Sequence, residues 1–517
     1  MKGEKNQLLC DTYLLNICQI CAILLLCPLG SNCGHFNILN EESKVGEFSL
    51  KIIVVGCGKI GTSIISALSS EGHDVVAIDQ SAEALSAVTD IYDVMGVCGN
   101  GADLETLEEA SANRAELFVA VSGSDELNML SCYLAGKLGA QNTVARIRNP
   151  QYNERGLGFM REQLGLAMAI NPELLAAHEL FNILKLPSAI KIESFSRRNF
   201  EMIELAVKED SVLNGMRLSD IRGRFKAKFL VCAVTRGDKT YIPDGNFHLA
   251  AGDKVGLAAA HLEIQKMLRE MNLLMREAKN IMILGGSRTA YYLARMLTAV
   301  GNSVKIIEKK ESVCNELAEA LPKAVVIHGD GASQELLLEE GIHDVDAFVS
   351  LTGMDEENIL MSIFASTHGV PKVIAKINSD ELTSISEKVG VDCIISPKLI
   401  IADVLVRYAR ALQNSEGSNV EHLYKLMDGK AEALEFNVSR DSPVTGIPLK
   451  ELNLKPGILI AGILRDRHPI IPDGDDMIFP GDGVVVMSSH RFLSDLSEIL
   501  DGSPRRTNSQ RKRTDAE

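Results

Sequence analysis

From Lys51 onward the chain alternates short apolar runs with stretches whose apolar residues recur every three or four positions. The runs Ile52–Val55, Val75–Ile78, Val94–Val97, Phe118–Val121 and Val144–Ile147 are nearly unbroken. They are too short for helices, and the pattern is that of parallel strands covered on both faces. Between the first two, Ile60, Ile64, Ile65 and Leu68 line one side of a helix. Strands alternating with amphipathic helices imply right-handed crossovers and a doubly wound Rossmann-type sheet.

The whole pattern then returns at a spacing of about 229 residues. Lys51–Gly61 matches Asn280–Ala290, and Val75–Asp79 matches Val304–Glu308. Gly99–Asp103 recurs as Gly329–Ser333, Ser122–Asn128 as Thr352–Asn358, and Ala145–Ile147 as Ala375–Ile377. Ile242–Gly245 returns as Ile471–Gly474, and Gly252-Asp253 as Gly481-Asp482. In the second copy Leu293, Met296, Leu297 and Val300 are expected to line the first helix. The fold class that follows is α/β: two tandem Rossmann-type doubly wound parallel sheets, over 50–170 and 277–398. Each is followed by a small α+β subdomain, over 188–271 and 417–501, where Pro-Asp-Gly and Gly-Asp turns separate short strands. Asn414–Asn419 reads as a linker before the last subdomain.

Composition narrows the function. The 517 residues are 46% apolar and 24% charged, which fits several globular domains and not a polytopic membrane protein. The net charge of −16, the absence of Trp and the 5% aromatic content argue against a nucleic-acid partner. Five of the 11 cysteines crowd into the first 33 residues, and Cys57, Cys98, Cys132, Cys232, Cys314 and Cys393 are scattered singly. Scattered cysteines in apolar runs read as reduced, buried thiols.

Residues 1–49 stand apart. Tyr13–Leu29 is Leu-rich but broken by Asn16 and Gln19 and closed by Pro28, short for a membrane span of about 20 residues. A dispensable leader, a membrane-associating helix and a signal segment all stay open for it. Cys18 and Cys21 lack a second pair that would complete a metal site. Residues 502–517, with Arg505, Arg506, Arg511, Lys512 and Arg513, read as a disordered basic tail; contact with anionic lipid heads is the other reading.

Candidate chemistry centres on Gly56-x-Gly58-x-x-Gly61, which follows a strand and opens a helix, with Asp79 ending the next strand. Gly56 permits the tight turn, Gly58 lets backbone approach a pyrophosphate, and Gly61 lets helix and sheet pack closely. The helix N-terminus offers free N–H groups to an anion. Asp79 suits ribose hydroxyls and repels a 2′-phosphate, so the ligand is expected to resemble NAD or ATP rather than NADP. In the second copy Gly285-Gly286-Ser287-Arg288-Thr289-Ala290 lacks the second and third glycines but keeps an acid, Glu308. Ser287 stands where backbone must approach phosphate, while Arg288 offers a direct contact. Binding there and a purely structural repeat both remain open. Ser122 and Gly123 follow the fourth run, at the sheet edge where ligands bind. Arg146 and Lys376 end equivalent runs and face either a phosphate or a carboxylate such as Asp125 or Asp355. Asp125, Glu126, Asp355, Glu356 and Glu357 read as favourable charges at helix starts. The eleven histidines show no metal spacing, and neither a nucleophile elbow nor a Walker loop is present. Catalytic residues and a metal site are therefore not expected.

These words and their order resemble the TrkA family of regulatory proteins, built from two tandem RCK (regulator of K⁺ conductance) modules. The resemblance spans residues 51–500 and rests on KIIVVGCGKIG, VVAIDQ, GNGAD, LFVAVSGSDELNMLSC and VARIRNPQY, with a weaker second round. It implies NAD(H), or else ATP/ADP, as cofactor, and nucleotide contacts at Gly56, Cys57, Gly58, Lys59, Ile60, Asp79, Ser122, Gly123 and Arg146. For the second module it implies Gly285, Gly286, Ser287, Arg288, Thr289, Glu308 and Lys376. It further implies a cytoplasmic homo-oligomeric ring, peripheral at the inner face of the membrane, that gates an integral potassium-translocating subunit of the TrkH or TrkG type. Members of the family start at a Met just before the first strand, where this chain has Leu50. Translation is accordingly expected to start near residue 50, which intact-mass measurement of the native protein checks. An NAD-dependent oxidoreductase with two Rossmann domains is the alternative, and it needs a catalytic base and a substrate domain that the sequence does not offer. A scaffold that binds nothing is the third reading.

Overall fold

The computed structural model describes residues 49–501, except 151, 153, 196–199, 238, 389–390, 392, 415–419, 428, 441, 467, 490–492 and 494. The expectations for the leader, its Cys pair and the basic tail lie outside the described residues, as does most of the 414–419 linker.

The first sheet contains β1 (Lys51–Val55), β2 (Asp74–Asp79), β3 (Met95–Cys98), β4 (Leu117–Ala120), β5 (Asn142–Arg146) and β6 (Met168–Ile170). Their order is β3-β2-β1-β4-β5-β6, and every pairing is parallel. This is the doubly wound order with its switch point between β1 and β4, where a crevice opens at the carboxyl ends of the strands. Ile52–Val54 and all of β4 are fully buried, which explains their unbroken apolar runs. β6 was not among the expected strands; three residues carry too little pattern to announce a strand.

A small antiparallel sheet follows, from β7 (Lys191–Phe195), β8 (Phe200–Ala206), β9 (Phe229–Arg236), β10 (Lys239–Tyr241) and β11 (Lys254–Ala260), ordered β10-β9-β11-β8-β7. The second half repeats the plan. β12 (Asn280–Leu284), β13 (Ser303–Glu308), β14 (Val325–His328), β15 (Ala347–Ser350), β16 (Lys372–Lys376) and β17 (Cys393–Ile395) form the order β14-β13-β12-β15-β16-β17. β18 (Val420–Leu426), β19 (Ala431–Asn437), β20 (Ile458–Arg465), β21 (His468–Ile470) and β22 (Gly483–Ser488) form the order β18-β19-β22-β20-β21. The repeated Gly-Asp turns now have a cause. Asp253 is fully buried and accepts from Arg236 Nε at 2.7 Å and Nη2 at 2.8 Å, and Asp482 takes Arg465 in the same way at 3.0 and 2.8 Å. Such two-point charged pairs pin each hairpin to the start of the following strand. The two subdomains differ in their cover: the first has helices Leu218–Arg224 and His261–Glu270, the second, among the described residues, only 3₁₀ turns at Leu449–Glu451 and Leu496–Ile499.

The two modules are interlocked by exchanged helices. Pro172–Lys185 leaves the first sheet and buries Ala176, Ala177, Leu180, Ile183 and Leu184 against helix Arg288–Ala299 of the second module. Pro397–Asn414 leaves the second sheet and lays Ile401, Leu405, Val406 and Ala409 on Ile64, Ile65 and Leu68 of helix Lys59–Ser70 in the first. The small sheets also share a core, in which Phe200, Met202, Cys232 and Ala258 meet Leu426, Met427, Ala433 and Met487. Two details differ from expectation. Val300 ends its helix as a cap, 49% exposed, instead of joining the apolar face. Of the six described thiols, Cys98 is exposed on the edge strand β3 while the other five are buried.

Candidate functional site

The glycine loop between β1 and helix Lys59–Ser70 is fixed by backbone. Gly56 has φ +102°, where a Cβ would also stand 3.0 Å from the main chain of Ser122. At Gly61 a Cβ would fall 1.7 Å from the carbonyl oxygen of Gly56, so helix and loop touch through main chain alone. Around Gly58 a Cβ would meet nothing within 4 Å. The room there lies toward the crevice, which is what an approaching ligand needs. Gly58 is the N-cap of the helix and supplies no side-chain cap, so the first-turn N–H groups stay open to the crevice.

Asp79, at the end of β2, accepts from the Cys57 N–H at 2.6 Å through Oδ2 and from the Ser81 N–H at 2.8 Å through Oδ1. Each oxygen retains a further lone pair for an incoming hydroxyl. Cys57 itself turns into the core, and burial, with Asp79 adding to it, pushes its thiol up to about 12.

The crevice encloses about 700 Å³ and is walled by both modules. From the first come Gly56, Gly58, Lys59, Ile60, Asp79, Gln80, Ser122, Gly123, Arg146 and Glu173; from the second come Ser287, Arg288, Thr289, Lys376, Asn378 and Lys398. Among the described lining residues, Lys59, Arg146, Arg288, Lys376 and Lys398 face two acids, Asp79 and Glu173, so an acidic chain carries a locally positive cleft. Arg146 is 7% exposed; its Nη2 donates to the Ser122 carbonyl, and its Nε has no partner. A buried guanidinium N–H without an acceptor is costly. Burial, with Arg148 close by, holds Arg146 below its ordinary value. Burial lowers Lys376 likewise, opposed by Asp355 and Glu173. Glu173 Oε2 is also buried without a partner.

Carboxylate pairing falls elsewhere than the sequence offered. Asp125 takes Arg148, not Arg146, at 3.3 Å, and accepts the Arg148 and Asn149 N–H groups at 2.8 Å each. Asp355 does the same for Asn378 and Ser379 at 2.8 Å each. These acids therefore tie a helix start to the loop after β5 or β16. Asn128 and Asn358 brace the neighbouring turns, accepting from the Ser122 and Thr352 N–H at 2.7 and 2.9 Å.

The residues named for the second module are split up. Ser287, Arg288, Thr289 and Lys376 line the cleft of the first, whereas Gly285, Gly286 and Glu308 are not among its lining residues. Gly286 donates to Glu308 at 2.6 Å, and a Cβ there would meet Leu317 at 2.8 Å and Val313 at 2.9 Å. Ser287 accepts from the Ala290 N–H at 3.4 Å, so this helix caps itself with its own hydroxyl. Glu173, Lys398 and Asn378 were missed from sequence because nothing local announces that distant segments converge. Asn171-Pro172-Glu173 does carry a helix-start signal, with Asn171 accepting from the Leu174 N–H at 3.0 Å. Tyr292 seals the seam: its hydroxyl donates to the Arg148 carbonyl at 3.2 Å and accepts from Asn171 Nδ2 at 3.1 Å.

Among the described residues no histidine, cysteine or tyrosine lines the cleft, and no three His, Cys, Asp or Glu side chains converge as metal ligands. No described helix is long and apolar enough to cross a membrane.

Comparison with known proteins is consistent along the chain. The TrkA-N domain profile matches residues 52–172 and 281–397, and the TrkA-C domain profile matches 202–272 and 433–501. The Trk system potassium uptake protein TrkA homolog 1 of Methanosarcina mazei is 33% identical over 460 residues, covering 87% of this chain and 100% of the relative. The Trk system potassium uptake protein TrkA of Haemophilus influenzae is 30% identical over 457 residues, covering 87% and 97%. Among solved structures, the crystal structure of the GsuK RCK domain superposes with a TM-score of 0.56 at 17% identity, over 87% of this chain and 95% of that one. The GsuK channel bound to NAD gives 0.55 at 18% identity, over 86% and 77%. At such identities the likeness shows the fold.

Proposed function

Because the chain belongs to the family of the Trk system potassium uptake protein TrkA, we propose that it is the nucleotide-responsive regulatory subunit of a potassium uptake system. The carrying observation is the uncapped start of helix Lys59–Ser70 facing a cleft lined by the buried Arg146, whose Nε lacks an acceptor. The residues present fit an adenine nucleotide. Gly58 and the first-turn N–H groups would cradle the phosphates, Arg146 would neutralise them, and Asp79 would take the ribose hydroxyls. Lys59, Arg288 and Lys376 place further charge from both modules around the same space, so NADH or ATP would be held between the modules. The nucleotide acts by binding and not by reacting; it supplies negative charge and a rigid bridge.

Regulation then follows from linkage. A nucleotide that holds the modules in one arrangement shifts the population only by its differential affinity for that arrangement. The assembly we infer is a ring of these chains docked on the cytoplasmic face of an integral potassium-translocating subunit of the TrkH or TrkG type. Isothermal calorimetry of the full chain with NADH, ATP and NADPH tests the site, with binding of one of the first two and weaker binding of NADPH expected. Potassium flux through the co-purified membrane subunit that ignores added nucleotide would overturn the regulatory role. Stoichiometric reduction of NAD with a substrate would point to an oxidoreductase instead.

A further inference from the structure

We propose that a buried ion cluster at the far end of helix Lys59–Ser70 couples the cleft to the second small subdomain. The nucleotide reading above supplies the trigger; the coupling itself rests on geometry alone. The helix has its open N-terminus at the cleft and ends at Glu71. Its twelve residues form a stiff rod about 18 Å long. Glu71 Oε2 accepts from Arg410 Nε at 2.6 Å, and Glu71 Oε1 lies 3.1 Å from Lys425 Nζ. Arg410 Nη1 and Nη2 then reach the two oxygens of Glu432 at 3.1 and 3.0 Å. Arg410 belongs to the exchanged helix Pro397–Asn414, Lys425 to β18 and Glu432 to β19.

Four charged groups thus join the first Rossmann domain, the exchanged helix and the second subdomain. Glu71, Arg410 and Glu432 are 8%, 9% and 2% exposed. Burial alone would raise the Glu71 carboxyl, but Arg410 and Lys425 overcome it and hold the group below the usual carboxylate range. Separating any partner would leave an uncompensated buried charge, so the elements that carry them move together or pay a large penalty. The equivalent clamp is missing on the other side of the pseudo-symmetric pair. At the place of Glu71 the second module has Val300, 49% exposed. At the place of Arg410 stands Lys185, exposed and lying over the Phe181 ring at 4.3 Å. A displacement of the glycine-loop helix is therefore delivered to β18 and β19.

Spatial continuity is not yet coupling, and native-state hydrogen exchange of the full chain in low denaturant measures it. In the unmodified protein, helix Lys59–Ser70 and β19 are expected to open as one unit with coincident denaturant dependence, while helix His261–Glu270, which packs Ile264, Met267 and Leu268 inside the first subdomain, opens separately. In E71Q the two are expected to part, with exchange in β19 accelerated about tenfold or more. E71V, which places valine as at 300, serves where E71Q does not fold by circular dichroism. Saturating NADH or ATP is expected to slow exchange in β19 of the unmodified protein and to lose that effect in the variant. Isotherms that stay coincident in the variant, that never coincide in the unmodified protein, or that include helix His261–Glu270 on equal terms overturn the proposal. If neither nucleotide protects helix Lys59–Ser70, the nucleotide reading fails, and the coupling is judged on the ligand-free isotherms alone.

Discussion

The two glycine loops share a turn and differ in who fills it. Both begin at a glycine of positive φ, +102° at Gly56 and +93° at Gly285, pressed against the chain that follows β4 or β15. Both hand a backbone N–H to an acid at the end of the next strand, at 2.6 Å in each case. They diverge two residues later. Gly58 leaves its helix end bare, whereas Ser287 closes its own with a hydroxyl and turns Arg288 toward the other module's cleft. The lesson is that a degraded copy of a binding motif can still serve a site, by lending charge to its partner while capping itself.

Breaking the tight approach in the first loop has the largest expected effect. Gly61→Val would drive a side chain into the Gly56 carbonyl, and calorimetry should find nucleotide affinity lost by about a hundredfold or more. Ala290→Gly, the converse change in the second loop, should alter it less than about twofold, since only a helix-packing methyl is removed. Next comes the acid pair. Asp79→Ala should weaken NADH or ATP about tenfold to thirtyfold with the fold intact by circular dichroism, because charged hydrogen bonds to the ribose are lost. Glu308→Ala should leave that affinity unchanged; an equal loss in both would erase the asymmetry between the loops.

A finer test moves the cap. Gly58→Ser has room for its side chain, so thermal unfolding should show a gain of about 0.5 kcal/mol or less while nucleotide binding weakens several-fold. Tighter binding would mean that the open helix end is not the anion cradle. The smallest effect is on pH. His73 is 6% exposed with neither ring nitrogen partnered, and burial lowers it, opposed by Glu71 and reinforced by Arg410. The unfolded chain therefore takes up a proton near pH 6.5 that the folded one refuses, so stability falls as pH drops below that point. His73→Asn, matching Asn302 of the second module, should flatten part of the decline between pH 7 and 5.5; an unchanged slope would assign the decline to other groups.

Most of the fold was legible because its signals are local. Ile52–Val55 and Phe118–Val121 announce central strands by being apolar without alternation, and the glycine spacing announces the turn between strand and helix. Neighbouring residues also made Asp79 readable. What stayed hidden is whatever depends on distant segments meeting. Arg148 took Asp125, one of the carboxylates left open for Arg146, and Glu173 and Lys398 entered the cleft from helices that cross between modules. Val300 looked like an apolar-face residue by period alone, yet its helix ends there. Periodicity sees the element and not its neighbours.

Exchange of the two long helices has a consequence for biosynthesis. The contact between Glu71 and Arg410 joins residues 339 positions apart. At ribosomal speeds of about 5–20 residues per second, helix Lys59–Ser70 waits roughly 20–70 seconds for the segment that covers its apolar side. During that interval Ile64, Ile65 and Leu68 have no final cover, so the nascent first half is the natural client of a chaperone.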